Sequence, residues 1–489
     1  MRISIRIERV RSTKQSVYYL VDIVGIAYLY VIIFRVMDKM SLIKIKYSIL
    51  VVMLIALSGC GEKNKKDSAI DAIQPVIVVT TDSDYVISVD NMDSDEPQEE
   101  TQSDTVEEAN DFEYIYDDVN KIYSKEAKNL DEIVLRFAGD TCFYDDFSLM
   151  SVFRDNGSDI DNCIDASLLG YMRDADIFMI NNEFCYSDRG APTAGKKYAF
   201  RSKPSNVEIL NDMGADIVSL ANNHAYDWGP DALSDTVDVL NGAKIPFVGA
   251  GKDIYEAMRP AYFKINGITI SFVSATQIER LGNPDTKEAT ETSPGVLRTL
   301  DPTKACKVIS EAKSNSDFCV MYVHWGSENT DLVEASQRDL AKKYVEAGVD
   351  LIIGDHSHCL QGIDYIDEVP VFYSMSNYWF NSKTVDTGLS EVVINSDDAK
   401  IKSVKFIPAI QSGCKTHEVG AEEQVRILSY LQGISDYAEV DLVTGEVSKS
   451  DINHNTQGGM NTSPTKKSEE QLQEDAAAIQ EQIGENTDD

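Results

Sequence analysis

Between residues 131 and 447 the chain repeats one arrangement of polar and apolar positions: a helical stretch, a glycine, an acidic residue, a short apolar run and a polar motif. Residues 206–213 carry helical spacing and lead through Gly214 and Asp216 into the run 217–220, which ends at Asn222-Asn223-His224. Residues 336–347 do the same, passing Gly348 and Asp350 into 351–353 and then His356-Ser357-His358. Glycine at such a position ends a helix in the left-handed conformation. Apolar runs that follow helices read as buried strands of βαβ units. Four more runs, 133–138, 176–180, 318–323 and 371–373, stop just before polar motifs. Ligands of open α/β sheets gather outside the carboxyl ends of the strands, so all these motifs are expected on one rim.

The flanks follow a different pattern. Lys44 and Lys46 precede the apolar run 47–57, which ends in Leu57-Ser58-Gly59-Cys60, so residues 40–59 resemble a bacterial lipoprotein signal peptide. That resemblance implies cleavage after Gly59, lipidation of Cys60 and an extracytoplasmic protein anchored to the cell membrane. Upstream, 17–36 is a second apolar stretch, interrupted by Asp22 and Arg35. Residues 1–39 read either as a misassigned start, with Met40 as the true one, or as a transmembrane segment. From 60 to 130 the chain is rich in Asp, Glu, Ser, Thr and Gln. Such a composition cannot bury enough apolar surface to offset its ordering entropy, and the stretch reads as an acidic, disordered tether. Within it 76–80 and 114–123 are apolar enough to order locally, the second as a helix leading into the domain. The tail 448–489 is again polar and reads as disordered, apart from a helix near 472–483.

A formal net charge of −36 excludes non-specific binding to nucleic acid, whose backbone such a chain repels. An anionic substrate then needs local positive charge, which a divalent metal or the basic loop Arg189, Lys196, Lys197 and Arg201 could supply. Eight cysteines are scattered singly, without the CxxC pairs of a zinc ribbon or the density of a disulfide framework. Cys142, Cys185 and Cys359 each fall close to a candidate ligand, which leaves pairing between two of them open, at Cα separations within about 7 Å.

In chain order the polar motifs are Gly139-Asp140, Asn181-Asn182-Glu183, Ala221-Asn222-Asn223-His224 with Asp227 and Gly229, His324-Trp325-Gly326-Ser327-Glu328, Gly354-Asp355-His356-Ser357-His358 with Gln361, and Ser374-Met375-Ser376-Asn377. His224, His324, His356 and His358, four of the six histidines, lie in them. Imidazole and carboxylate together suit zinc, manganese or iron, and no soft cysteine cage is offered. Plainer readings stand beside these. Asp140 could be only a turn residue and His324 a satisfied core histidine; Asn222 reads as a turn hydrogen-bonder, and Trp325 and Tyr378 as packing.

With Ala-Asn-Asn-His-x-x-Asp-x-Gly at 221–229, His-Trp-Gly-x-Glu at 324–328 and Gly-x-His-x-His at 354–358, the sequence resembles the CapA-like poly-gamma-glutamate capsule biosynthesis family of the calcineurin-like metallophosphoesterase superfamily. The likeness runs from about 133 to 380 and more weakly to 447. It implies one large α/β domain over 131–447, a layered α/β/β/α sandwich with disordered ends, holding one or two divalent ions (Mn, Zn or Fe). By the same resemblance Asp140, Glu183, Asn223, His324, His356 and His358 are the ligands, with Glu183 bridging. His224 is then the general acid and Asp227 the residue that orients it. Lys197 and Arg201, from the loop after the glutamate motif, are expected at an anionic substrate together with Asn377. In two-metal hydrolases, ions about 3.5–4 Å apart activate water and clamp the attacked phosphoryl oxygens.

Three departures qualify the resemblance. The superfamily's usual Asp-x-His has Cys142 in third place, either a thiolate ligand or a buried structural cysteine. Glu183 stands where many relatives carry aspartate, and Ser374-Met375-Ser376-Asn377-Tyr378 replaces the usual Ser-Leu-Gly-Asn-Phe. The functions implied are a component of capsule or envelope polymer biosynthesis working beside capsule-synthesis membrane proteins, a cell-surface phosphoester hydrolase unrelated to capsule, or a lipoprotein that binds polymer without cleaving it. Fold alone does not choose among them.

Overall fold

The computed structural model describes residues 115–278 and 286–455, together with Ile5–Arg6 and Ser88–Val89, which pair antiparallel. Expectations placed at 17–36, 40–60 with Cys60, 76–80 and 472–483 lie outside the described residues. Residues 1–108 and 109–489 form separate units, and the second carries all that follows.

Its strands begin with β1 (Tyr116–Asp117), β2 (Ile122–Ser124), β3 (Glu132–Thr141), β4 (Ile177–Asn182), β5 (Ile217–Ser219) and β6 (Phe247–Val248). They continue with β7 (Ala261–Ile265), β8 (Ile268–Thr276), β9 (Phe318–His324), β10 (Leu351–Asp355), β11 (Leu360–Ile366) and β12 (Val369–Met375). Last come β13 (Asn377–Trp379), β14 (Val385–Asn395), β15 (Ile401–Ser412) and β16 (Lys415–Glu418). They make two 8-stranded sheets. The first runs β6-β5-β4-β3-β14-β15-β16, with β13 added along β3; β6 to β3 are parallel and the rest of that path antiparallel. In the second, β11-β12-β10-β9-β8-β7-β2-β1, the central strands β12, β10, β9 and β8 are parallel.

Strand periodicity explains the layering. On β4, Ile177 and Met179 join a core shared with Ile270, Phe272, Val320, Tyr322, Leu351 and Ile353 of the second sheet. The alternate residues Phe178 and Ile180 face helices α1 (Ser148–Asp155), α2 (Ala166–Arg173), α3 (Glu208–Met213) and α4 (Gly229–Ala243). On β9, Cys319, Met321 and Val323 turn the other way, onto α5 (Thr303–Ser314) and α6 (Ala335–Ala347). Both faces of both sheets are therefore covered, the α/β/β/α sandwich expected, and the central strands read as unbroken apolar runs rather than alternating ones. Each buried large apolar side chain contributes about 1.5–3 kcal/mol. Truncating Phe178 to alanine would cost about 3–5 kcal/mol. A further helix, α7 (Ala421–Ile434), closes the inter-sheet core with Ile427, Leu428 and Leu431.

Helices α3 and α6 end at Gly214 and Gly348, at φ 82° and 108°, as their spacing predicted. Over 115–123, the described part of the expected helix at 114–123, the structure corrects the sequence reading. Instead of a helix these residues hold the hairpin β1–β2, whose turn forms because Asp117 accepts from Asn120 N at 2.9 Å and Nδ2 at 2.7 Å while Lys121 takes φ 53°. Strand β2 pairs with β7, and Tyr123 packs 5.3 Å from the Phe263 ring, so this hairpin, upstream of 131, is part of the folded body. That body also runs past 447: Ala438–Val440 pairs with Val447–Lys449, and His454 N donates to Asp436 O at 2.9 Å.

Candidate metal centre

All six motifs sit at or next to carboxyl ends of strands, divided between the two sheets. Asp140 ends β3, Glu183 follows β4, and the 222–224 turn follows β5, all in the first sheet. His324 ends β9, the 356–358 turn follows β10, and Ser376 follows β12, in the second. The rim is a cleft between two facing edges.

A bulge aims Asp140 into that cleft. Ile133, Leu135 and Phe137 face the second sheet and Ala138 faces the helices, so strict alternation would send residue 140 to the helices. The register with β4 steps from Phe137↔Met179 to Asp140↔Asn181, one residue longer on β3, which turns Asp140 to the cleft side. Gly139 makes the approach feasible: a Cβ there would lie 1.9 Å from the Ser376 carbonyl oxygen, and Asp140 N donates to that same oxygen at 2.9 Å. Backbone is also constrained on the other lip, where His356 and His358 hold φ 101° and 56°. Such strain collects where function requires a side chain to be aimed.

Two groups of donors result, and both contain Glu183. Glu183, His324 and His356 form one, Asp140, Glu183 and His358 the other, with ligand atoms within 4.8 Å of one another in each. His324 Nε2 stands 3.4 Å from Glu183 Oε1, 2.8 Å from Asn223 Oδ1 and 2.9 Å from His356 Nδ1. His358 Nδ1 stands 3.2 Å from Asp140 Oδ2 and 2.8 Å from Asn377 Oδ1. The buried oxygens Asp140 Oδ2 and Glu183 Oε1 and Oε2 satisfy no hydrogen bond, a costly state for carboxylates unless a cation takes their lone pairs. Mixed imidazole, carboxylate and amide donors fit a borderline divalent ion, and the residues expected from sequence are the ones that converge.

Electrostatics point the same way. Burial, and then the charge of Asp140, push the Glu183 carboxyl well above the ordinary carboxylate range. Burial also acts to raise Asp140, but the imidazoles of His358 and His324 and the Asn181 amide outweigh it, and the net is a lowered carboxyl. His324 is held down to about 3 by burial, which keeps the imidazole neutral and able to ligate. A divalent ion held by these residues would relieve the repulsion from Asp140 that adds to burial in raising the Glu183 carboxyl.

Beside the donors, His224 stacks on Phe200, rings 4.1 Å apart, and gives Nδ1 to Asp227 Oδ2 at 2.6 Å. Its Nε2 faces the cleft, 3.9 Å from Glu183 Oε1. Burial lowers its pKa, against the pull of Asp227. Asn222 is a turn residue, as read: its amide donates to Asn181 Oδ1 and Asn182 O, both at 2.9 Å. Trp325 and Tyr378 are fully buried packing; the indole stacks on Tyr373 and donates to its carbonyl at 2.8 Å. Cys142 sits in the apolar core, its thiol pushed up by burial, outside both donor groups. The described cysteines are all free, Cys142, Cys185 and Cys359 included.

The basic loop is arranged differently from expectation. Lys197 is exposed, its ammonium 4.8 Å above the Tyr198 ring, and Arg201 lies 3.6 Å over Trp228. Lys196, which the sequence reading did not single out from its neighbours, turns inward to Asp227 and the Asn223 carbonyl. Two more residues escaped that reading. Asn181 braces the centre, its amide 2.7 Å from Asp140 Oδ1 and 3.2 Å from His324 Nδ1. Asp355, fully buried, takes the Tyr322 hydroxyl, which also lies 2.8 Å from the Ala138 carbonyl of the facing sheet. Both occupy quoted motifs; only the strand-face parity, which needs the bulge and the two-sheet packing, separates them from fillers.

A PGA biosynthesis protein CapA of Bacillus subtilis (strain 168) is 34% identical over 200 residues, 40% of this chain and 51% of its own. A capsule biosynthesis protein CapA of Bacillus anthracis is 30% identical over 246 residues, 49% of this chain and 58% of its own. The chain thus spans between half and three fifths of the length of these curated relatives. A solved phosphatase from Mycoplasma pneumoniae covers 58% of this chain and 95% of its own, at 13% identity and a TM-score of 0.38, too distant to carry chemistry across. The profile of the bacterial capsule synthesis protein PGA_cap matches residues 134–382, a span that opens two residues into β3, encloses every cleft motif and closes just after β13. As that profile spans half of the sequence, the chain is a member of the bacterial capsule synthesis protein PGA_cap family.

Proposed function

We propose that this protein is an extracytoplasmic lipoprotein, anchored through Cys60, that acts in capsule or cell-envelope polymer biosynthesis by metal-dependent hydrolysis of a phosphoester or related anionic bond. The observation that carries the reading is Glu183: a fully buried carboxylate with both oxygens unsatisfied, shared by two converging donor groups. Asp140 and His358 would hold one ion, and Asn223, His324 and His356 another, with Glu183 between them. Bound there, manganese, zinc or iron would supply the positive charge that a chain of net charge −36 otherwise lacks for an anionic substrate, and would acidify water.

The chain's own residues do the rest. His224, its Nδ1 fixed by Asp227, presents Nε2 to the cleft and would hand a proton to the leaving group. Asn377 keeps one amide oxygen on His358 and leaves a buried Nδ2 without a partner, a donor suited to a substrate oxygen. Lys197, on the 187–200 loop, and Arg201, in the short strand after it and 3.6 Å over Trp228, would steer the anion toward the His224–Asp227 turn. The relatives' names support a polymer context: one is a PGA biosynthesis protein, another a capsule biosynthesis protein.

Turnover of bis(4-nitrophenyl) phosphate by the purified mature chain with manganese tests the reading. Activity lost in His224→Ala with bound metal retained is the expected result. Metal-dependent binding of poly-gamma-glutamate without turnover would replace hydrolysis with polymer holding. A parent protein free of metal after manganese loading would end both.

A further inference from the structure

Residues 187–200 pass over the turn that carries Asn223, His224 and Asp227 and are stitched to it repeatedly. Thr193 N donates to Asp227 O at 2.8 Å, Phe200 N to Asp227 Oδ2 at 2.6 Å, and the Trp228 indole to Ala199 O at 3.2 Å. The two segments run so close that a Cβ on Gly190, at φ 84°, would stand 2.1 Å from the Trp228 carbonyl oxygen. Among the loop's cations, Lys196 alone turns under it: its side chain is 8% exposed, against 59% for Arg189. Its ammonium donates to Asp227 Oδ1 and to the carbonyl oxygen of Asn223.

We propose that Lys196 is a positioning residue, a clamp that locks the 187–200 loop onto this turn and so fixes both the Asn223 amide and the His224–Asp227 pair. Asp227 already carries His224 Nδ1 and Phe200 N on Oδ2. Lys196 takes the remaining oxygen, so the carboxylate is held from both sides and cannot swing away from the imidazole. Its bond to the Asn223 carbonyl fixes the backbone from which the Asn223 amide reaches His324 Nε2 at 2.8 Å. One ammonium thereby couples the proton-donor turn to the metal-ligand turn. An exposed lysine makes no such claim on geometry; a buried one, bonded on two sides, does. The positioning of Asn223 and His224 matters for chemistry only if the hydrolase reading holds, while the clamp itself stands apart from that reading.

Hydrogen exchange and manganese titration of the full chain separate the two. In metal-free Lys196→Met, the amides of Thr193 and Phe200, both bonded to Asp227, are expected to exchange at least about ten-fold faster than in the parent. Manganese affinity is expected to fall about 10–100-fold, the range for residues that orient ligands. Lys196→Arg should recover part of both, and Lys203→Met, an exposed lysine beyond the loop, should change neither. Unchanged exchange in Lys196→Met would overturn the clamp. Faster exchange with parent-like manganese affinity would overturn the positioning of Asn223. A parent that binds no manganese sinks the hydrolase reading, and the exchange rates still decide the clamp.

Discussion

Glu183 and His324 belong to different sheets, yet their side chains meet 3.4 Å apart at the centre of the cleft. The first follows β4 and the second ends β9, so each sheet supplies one half of the centre. Removing the charge of Glu183 therefore has opposite effects with and without metal. Glu183→Gln is expected to abolish metal retention at both donor groups, while His356→Ala and His358→Ala each spare the other group; elemental analysis after manganese loading reads the difference. Without metal, Glu183→Gln should be more stable than the parent by about 2 kcal/mol in urea unfolding at neutral pH, because the amide avoids the cost of burying a carboxylate or of protonating it on folding. Equal metal content in Glu183→Gln and parent would remove this residue from the centre.

Gly139 sets how closely the lips of the cleft approach. Gly139→Ala would drive a Cβ to 1.9 Å from the Ser376 carbonyl, a backbone atom that can yield only if β3 and the residues after β12 part. The expected cost is about 3 kcal/mol together with loss of metal. Gly242→Ala, inside α4 with open space around its missing Cβ, should instead raise stability by about 0.5–1 kcal/mol. Thermal unfolding of the two variants should shift in opposite directions.

Lys121 makes stability pH-dependent at the hairpin. Its ammonium, in a residue 1% exposed, bonds the Phe247 carbonyl at 2.9 Å and sits 3.9 Å over the Phe247 ring. Burial lowers its pKa from 10.5 to about 7, with Glu256 opposing and Arg259 adding. Below about 7 the group is charged in folded and unfolded chains alike, and the cost of burying it is present in full. As pH rises from there toward 10.5, the unfolded chain alone keeps the proton and the cost disappears. Lys121→Met is thus expected to stabilise by a few kcal/mol at pH 6, at roughly 1.4 kcal/mol per pKa unit, and by much less at pH 10. An equal gain at both values would contradict the assignment.

Cys142 stands where the resemblance expects a histidine, and it lies outside both donor groups. Cys142→Ala should lose about 1 kcal/mol from the core and keep the parent's metal content. Metal loss in a folded Cys142→Ala would make the thiol a ligand after all.

Much of this was legible in the sequence, for a reason visible at β4 and β9. An apolar run that ends abruptly in a polar motif marks a strand's carboxyl end, and Glu183 and His324 sit where that rule puts them. What one chain read in isolation does not carry is the partner across the gap. That the strand ends belong to two facing sheets, that a bulge at 138–140 turns Asp140 inward, and that Lys196 rather than Lys197 points under the loop all depend on packing between segments far apart. The hairpin at 116–124 was hidden differently. Its apolar residues are as compatible with a helix as with strands, and the deciding signal was the Asp117–Asn120 turn.

Strand β14 pairs with β3 along seven residues, among them Glu391 opposite Arg136, 255 positions earlier. The first sheet therefore cannot close around β3 until almost the whole domain has left the ribosome, and closures over such long loops are slow. Asp140 lies on the strand that waits for this partner, so a growing chain has no finished cage to offer an ion. On the proposed reading, an ion is therefore expected to be taken up only after this long-range pairing has formed.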